Sequence, residues 1–361
     1  MDFQPKVIDF TDADDFLYYI KDGIWEVSNS DCELSCLVEK NWVFRGVGSC
    51  DFELIPSAWR CQRFQNQSWA HIDLINPDRP WVNIVADRYR ELNLNIEHIN
   101  QLFQQIFLEM YIVQDFITLS NRVRLPVESV FPFNINLSFN TFDKKNLFWH
   151  RVCNEFIDWI QKFDEFDIST DNLDERDIIF DTNKFFFPYL CPQYDEHAVA
   201  YAQHHGIPTR LLDFTYNPLK ATWFALKQHT DIMNQSKANM PAYFSVIAIN
   251  KGMMGSASET ASSYIMEALD FVDGFKMSNF HNLFNQEGVF LSMVYANKYF
   301  YKNGQWPNLN QYLSQYQHML DMDNIGNYYL QLNIPNTVVE DLKTKLEKID
   351  ISRPYCNPPV K

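Results

Sequence analysis

Apolar residues recur at three- and four-residue steps over several stretches of this chain, which is the spacing of an amphipathic helix. Tyr89 to Ser120 is the longest of these stretches and is predicted to be rich in helix. A second amphipathic helix is predicted within residues 134–181, and another from Val338 to Ile349. Residues 1–40 show the same spacing more loosely, which predicts a short helical N-terminal segment.

Nearly continuous apolar runs of strand length lie between these helices. They predict four strands: residues 42–46, 243–249, 286–293 and 328–334. The run Tyr243–Ile249 is apolar almost throughout, which is typical of a strand that is covered on both faces of a sheet. Strands and helices follow one another irregularly, without a repeating strand–helix–strand unit. The pattern therefore favours an α+β fold over a doubly wound α/β fold.

The stretch 199–228 predicts a helix, a tight loop and a second helix. Gly206 is the residue type that ends a helix in a left-handed conformation. Asn217 followed by Pro218 is typical of a helix start. The asparagine side chain caps free backbone N–H groups, and proline lacks an N–H at a position where the helix does not use one. The loop holds polar side chains beside two leucines: Thr209, Arg210 and Asp213. Charges so close to apolar residues are either mutually paired or available to a ligand.

The chain has 361 residues, 46% of them hydrophobic and 16% aromatic, which indicates a well-packed globular protein. Its formal net charge of −16 disfavours a broad nucleic-acid surface, since such surfaces are rich in lysine and arginine. No apolar run approaches the roughly 20 residues of a membrane span, and the acidic N-terminus does not resemble a signal peptide. We therefore expect a soluble, cytoplasmic protein.

The seven cysteines are scattered, which is typical of reduced thiols in an intracellular protein. Cys32 and Cys36 have no second pair of ligands at zinc spacing. The acidic run 164–177 lacks the glycine and the terminal glutamate of a calcium loop. We therefore predict no metal site.

Four blocks, in order along the chain, resemble the conserved motifs of the FRG-domain family. They are Phe44-Arg45-Gly46, the segment 54–60 (LIPSAWR), the segment 203–225 (QHHGIPTRLLDFTYNPLKATWFA) and the segment 285–290 (NQEGVF). Departures from the family pattern are His205 and Phe214, in place of tyrosine and tryptophan, and Glu287, in place of a common glutamine. The resemblance implies a bacterial or phage-associated protein with a role in defence, or a toxin, but no established reaction.

The resemblance also implies the domain organisation. Residues 41–61 and 197–350 are expected to form a single FRG-type α+β core with a mixed sheet. Residues 62–196 are then a large, mostly helical insertion, and residues 351–361 form a C-terminal tail.

The motif residues predict one polar pocket for a phosphate-bearing small molecule or nucleotide. Arginine suits phosphate because its N–H groups form a fork, and the helix start at Asn217 adds further N–H donors. The candidate ligand-binding residues are Arg45, Gly46, Ser57, Arg60, Gln203 and Thr209. The candidate catalytic residues are Glu287, His204, Arg210 and Asp213.

Arg45-Gly46 after a strand, with Glu287 at the head of a late strand, is similar to the arginine-class ADP-ribosyltransferases. In those enzymes the arginine holds NAD and the glutamate stabilises the ribosyl cation that develops during the reaction. The similarity makes NAD the candidate cofactor, because a developing cation needs a carboxylate beside it.

Two alternatives remain open on the sequence. In the first, His204 or His205 acts as a general base in phosphodiester hydrolysis, with Arg210 stabilising charge and Asp213 orienting the base. In the second, Arg210 and Asp213 form a structural latch in a non-catalytic module that senses a ligand or binds a protein partner.

Overall fold

The structure is a computed structural model, and it describes part of the chain. The described residues are 3–20, 41–60, 96–122, 196–235, 241–251, 269–273, 287–293, 295–315, 328–349 and 351. The helix predicted within residues 134–181 and the acidic run 164–177 lie outside these residues.

The chain divides into two compact units. The first, here the sheet unit, comprises Met1–Leu54, Leu211–Met293 and Asn308–Lys361. The second, here the helical unit, comprises Ile55–Arg210 and Val294–Pro307. Residues 294–307, which were predicted to belong to the core, lie in the helical unit, and so do residues 55–61 and 197–210. These two segments bond to each other, since the amide of Ala58 donates to the carbonyl of Thr209 at 3.0 Å.

A seven-stranded mixed sheet forms the sheet unit, which confirms the α+β prediction. The strands are β1 (Lys6–Asp9), β2 (Trp42–Val47), β3 (Leu212–Thr215), β4 (Tyr243–Asn250), β5 (Leu269–Asp273), β6 (Gly288–Met293) and β7 (Tyr329–Pro335). Their order is β1-β7-β4-β2-β3-β6-β5. The pair β1–β7 is parallel, and the other neighbours are antiparallel. Strand β4 lies inside the sheet, as its apolar run predicts.

Three strands were not predicted, and two of them correct an expectation. Strand β1 lies within residues 1–40, so the prediction of a helical segment there was wrong for Lys6–Asp9. Strand β3 lies where a loop was expected, between β2 and β6. Each has only four residues, which is too short for a reliable alternation of polar and apolar positions. The neighbouring strands, through their hydrogen bonds, make these segments extended.

Seven helices are assigned in the described residues. They are α1 (Ala13–Tyr18), α2 (Ile96–Arg122), α3 (Glu196–His204), α4 (Pro218–Gln235), α5 (Ala296–Asn303), α6 (Leu309–Ser314) and α7 (Val339–Lys348). Helix α3 is followed by Gly206 at a φ of 85°, as predicted. The side chain of Asn217 caps α4, since its Oδ1 accepts from the amides of Leu219 at 3.0 Å and Lys220 at 3.2 Å. Both helix boundaries in this block are therefore confirmed.

Helix α4 packs directly against the backbone of β2, and this contact requires glycine. Phe44 lies in one core cluster with Ala221 and Ala225 of α4. A Cβ atom on Gly46 would overlap the carbonyl oxygen of Ala221 and lie 2.5 Å from the backbone nitrogen of Ala225. Gly46 therefore allows a close approach of helix and strand, which is the role of many buried glycines.

In the helical unit, α2 turns a mostly apolar stripe inwards. Its buried described residues are Leu102, Ile106, Glu109, Ile112, Val113, Ile117 and Ser120. Trp59 lies in a short 3₁₀ turn (Ser57–Trp59). Its ring stacks on that of Trp306, with the ring centroids 4.6 Å apart. Glu109 is the one charged residue in this stripe, so it needs a partner inside the unit.

Candidate functional site

Arg45 projects from the face of the sheet opposite to α4. Side chains alternate along a strand, and Phe44 and Gly46 face the helix, so Arg45 points the other way. Its Nη1 donates to the backbone oxygen of Asp213 at 2.7 Å. The same nitrogen lies 3.7 Å from Oδ2 of Asp213, and the two side chains are 18% and 61% exposed. The carboxylate of Asp213 is therefore near Arg45 but beyond hydrogen-bond distance.

The guanidinium of Arg45 is incompletely satisfied by the described residues. Its Nε is buried and has no hydrogen-bond partner among them. Burial lowers the pKa of Arg45, and the charge of Asp213 opposes that shift. Arginine remains protonated under all ordinary conditions. Burial of its charge therefore destabilises the folded protein unless an anion offsets the cost. The arrangement suits a bound anion.

Glu287, directly before β6, is held in a strained conformation. It is the only non-glycine residue with a positive φ, 50°, among the described residues. Its Oε1 accepts from Nζ of Lys220 at 2.6 Å and from Nδ2 of Asn217 at 3.1 Å. The left-handed conformation costs an ordinary residue about 1–2 kcal/mol. Such outliers concentrate at functional sites, where the surrounding structure maintains them.

One side of the Glu287 carboxylate is anchored and the other is open. Lys220 is 10% exposed, whereas the Glu287 side chain is 38% exposed. No described residue donates a hydrogen bond to Oε2 of Glu287. The first turn of α4 thus fixes one oxygen of the carboxylate and leaves the second available to a ligand.

Arg45 and Glu287 lie near the same rung of the sheet. Phe44, next to Arg45, pairs with Thr215, and Thr215 pairs with Gly288, next to Glu287. Strands β2 and β6 are therefore two strand spacings of about 4.8 Å apart. Their side chains nevertheless differ in direction. Arg45 leaves the face opposite to α4, and the carboxylate of Glu287 lies at the first turn of that helix.

Arg210 belongs to a buried network in the helical unit. Its Nε donates to Oε2 of Glu109 at 2.7 Å, and these side chains are 12% and 6% exposed. Oε1 of Glu109 accepts from Nε1 of Trp59 at 3.1 Å and from Nε2 of Gln105 at 2.8 Å. Arg210 Nη1 also donates to Oδ1 of Asn297 at 3.4 Å. Both carboxylate oxygens of Glu109 are thus occupied, as in a structural ion pair.

The remaining candidates of the helical unit also bond locally. Ser57 Oγ accepts from the amide of Thr209 at 3.1 Å, and the hydroxyl of Thr209 donates to Oε1 of Gln203. Arg60 donates through Nε to the carbonyl of Ile55 at 2.9 Å. The His204 ring lies 5.5 Å from the ring of His205. Ser57, Thr209 and Gln203 therefore form one hydrogen-bonded group.

The predicted site residues divide between the two units. The sheet unit holds Arg45, Gly46, Asp213 and Glu287, and the helical unit holds Ser57, Arg60, Gln203, His204, Thr209 and Arg210. One pocket lined by all of them stays a prediction. For Gly46, the structure supplies a packing role at α4.

Two residues that the sequence analysis did not name contribute to these groups. Glu109 lies in the predicted insertion, and a single acid in an apolar stripe was the signal that could have identified it. Lys220 is buried on α4, and a buried lysine, like a buried glutamate, requires a partner of opposite charge. Within the described part of the chain, no three histidine, cysteine or acidic residues cluster as metal ligands do.

Comparison with known proteins identifies the domain. The family model of the FRG domain matches residues 166–233, so the chain contains an FRG domain. The match includes Arg210, Asp213 and most of α4, but it does not reach Arg45 or Glu287. No curated protein and no solved structure matches the chain. In the described residues, every helix is too short or too polar to cross a membrane.

Proposed function

We propose that this FRG-domain protein binds a phosphate-bearing small molecule or nucleotide, and that Arg45 holds the anion. The observation that carries the proposal is the largely buried guanidinium of Arg45. Its Nε has no partner among the described residues, and its carboxylate neighbour lies at 3.7 Å. Phosphate oxygens would accept hydrogen bonds from the guanidinium and offset its charge in the same step.

A small ligand fits better than a nucleic acid. The net charge of −16 repels a long polyanion, whereas a single phosphate group can be held by one buried arginine. Arginine also exceeds lysine for this purpose, because its planar fork matches the geometry of phosphate. The family resemblance adds a setting in bacterial or phage defence to the same proposal.

Calorimetric titration with ATP, NAD, ADP-ribose and inorganic phosphate tests the proposal. The parent protein should bind at least one of these ligands, and Arg45→Met should weaken that binding tenfold or more, about 1.4 kcal/mol. Arg122→Met, which removes an exposed arginine of α2, is the matched control and should bind as the parent does. Circular dichroism would establish that both variants are folded. Equal binding by Arg45→Met, or no binding by the parent, would contradict the proposal.

ADP-ribosyl transfer from NAD is a second candidate, and the conformation of Glu287 favours it. Glu287 is kept at a φ of 50° with one oxygen anchored, and backbone outliers of this kind cluster at active sites, which supports a catalytic role. In this reaction the bond between ribose and nicotinamide breaks, nicotinamide leaves with the electron pair, and a nucleophile attacks the ribosyl carbon. The open oxygen of Glu287 would stabilise the positive charge that develops on the ribose.

Glu287→Gln separates transfer from binding. The variant keeps the shape and hydrogen-bonding capacity of the side chain and deletes its charge. NAD affinity should stay close to that of the parent, and NAD cleavage should fall at least a hundredfold, about 2.7 kcal/mol of barrier. Undiminished cleavage would exclude Glu287 from the reaction. A parent protein that binds NAD and never cleaves it would be a non-catalytic sensing module.

A further inference from the structure

Asn217 contacts both α4 and Glu287 through the two ends of one side-chain amide. Its Oδ1 accepts from the backbone amides of Leu219 at 3.0 Å and Lys220 at 3.2 Å. Its Nδ2 donates to Oε1 of Glu287 at 3.1 Å. Backbone amides only donate and a carboxylate only accepts, so these partners fix which end of the Asn217 amide is oxygen and which is nitrogen. The side chain therefore begins the helix and holds Glu287 at the same time.

The residues at the start of α4 hold Glu287 at three points. The amide of Tyr216 donates to the backbone carbonyl of Glu287 at 3.0 Å. Asn217 and Lys220 both donate to Oε1 of its side chain. These bonds act on a residue with a φ of 50°, a conformation that persists only where the surrounding structure maintains it. With Oε1 held in this way, Oε2 is the oxygen that a ligand can use.

We infer that Asn217 is a positioning residue for ADP-ribosyl transfer, because it orients the carboxylate of Glu287 through Oε1. The inference rests on the second candidate function, in which Oε2 of Glu287 stabilises the charge that develops on the ribose. In the simplest form of that reaction, the bond between ribose and nicotinamide breaks and nicotinamide leaves with the electron pair. Water then attacks the ribosyl carbon and releases a proton to solvent. A displaced carboxylate would stabilise the developing charge less, since the attraction depends on distance.

Two substitutions of Asn217 separate helix capping from positioning. Aspartate and serine are both good N-caps, so Asn217→Asp and Asn217→Ser should keep the start of α4. Neither residue replaces the bond to Glu287. Aspartate places a second negative charge beside Oε1, and the side chain of serine ends one bond short of the Nδ2 position. Turnover should therefore fall in both variants, and further in Asn217→Asp, because like charges at this range repel each other.

Asn308 offers a matched control, since it makes the same pair of contacts at the start of α6. Its Oδ1 accepts from the amide of Gln311 at 2.8 Å, and its Nδ2 donates to Oε1 of Glu53 at 3.0 Å. No strained backbone accompanies this pair, because Glu287 is the only non-glycine residue with a positive φ among the described residues. Asn308→Asp should therefore leave NAD cleavage as it is in the parent protein.

Urea unfolding, calorimetric titration with NAD and chromatographic measurement of ADP-ribose release compare the full-length parent, Asn217→Asp, Asn217→Ser and Asn308→Asp. A positioning role predicts parental urea midpoints and NAD affinities for the two Asn217 variants, with kcat about tenfold lower in Asn217→Ser and lower still in Asn217→Asp. Parental kcat in both Asn217 variants, or a fall in kcat that accompanies an equal loss of stability, would overturn this inference alone and leave Asn217 a helix cap. A parent protein that does not cleave NAD would overturn the transfer function itself.

Discussion

The two arginines of the motif blocks have contrasting environments. Arg210 in the helical unit bonds to Glu109 at 2.7 Å, and both side chains are almost fully buried. Arg45 in the sheet unit lies 3.7 Å from the carboxylate of Asp213, which is mostly exposed. The two residues look equivalent in the sequence, since each is a basic residue beside apolar neighbours in a recognisable motif.

The difference indicates that Arg210 serves the fold, and it supports the proposal that Arg45 binds a ligand. A buried charge with a short, buried partner is compensated within the protein, and its removal leaves the partner uncompensated. A buried charge whose carboxylate partner lies 3.7 Å away and is mostly exposed is only partly compensated, and a bound anion would complete the compensation. We therefore assign Arg210 to stability and Arg45 to binding, and the following predictions test that assignment.

The largest expected effect is that of Glu109→Gln on stability. It leaves the charge of Arg210 buried without its carboxylate, which should lower the free energy of unfolding by about 3–5 kcal/mol. Urea unfolding measures this change. Arg45→Met is the comparison and should change the same free energy by less than about 1 kcal/mol, because it removes an incompletely compensated charge. Equal losses in the two variants would end the distinction between the arginines.

A double variant, Glu109→Gln with Arg210→Met, sharpens that test. If the pair acts as one unit, the second substitution should recover part of the stability lost in the first, because no unpaired charge remains. Additive losses would show that the two side chains contribute separately.

Gly46→Ala should have the next largest effect, and it acts on the sheet unit. The added methyl group would overlap the backbone of α4, which should cost about 2–3 kcal/mol through overpacking. Gly206→Ala is the matched control in the helical unit. At Gly206 no atom lies within 4 Å of the added carbon, so only the φ of 85° opposes alanine, at about 1 kcal/mol. Chemical denaturation compares both, and a smaller loss at Gly46 would contradict the packing role.

The strain at Glu287 predicts a smaller effect. Glu287→Ala and Glu287→Gly both remove the ion pair with Lys220, but only glycine accepts a φ of 50° without strain. The glycine variant should therefore be more stable than the alanine variant by about 1 kcal/mol. The difference in urea midpoint between the two variants measures it. An alanine variant of equal or greater stability would show that the conformation is not strained.

The smallest expected effect concerns pH, at the end of α3. Partial burial lowers the pKa of His205, an otherwise exposed residue whose ring lies 4.5 Å from that of Tyr201. Below the ordinary histidine pKa of about 6.5, the unfolded chain binds this proton more readily than the folded protein. Stability should therefore fall as the pH drops from 7 towards the lowered pKa, and His205→Gln should flatten that slope. A slope that the variant leaves unchanged would assign the pH dependence elsewhere.

The local pattern was sufficient for much of the fold. The helical spacing predicted α2 and α7, and Gly206 and Asn217-Pro218 marked the end of α3 and the start of α4, because helix ends are determined by nearby residues. Continuous apolar runs predicted β2, β4, β6 and β7. The short strands β1 and β3 were missed, since four residues gain extended structure only from the neighbours that they pair with.

For the candidate site, the sequence determined which residues are candidates for the chemistry, and the tertiary structure decided what each of them contacts. Arg45, Arg210 and Glu287 could be singled out from motifs. Their partners could not, because Glu109 is 101 positions from Arg210 and Lys220 is 67 positions from Glu287. Distance and burial distinguish a structural ion pair from a proposed ligand site, and both arise only when remote segments pack together.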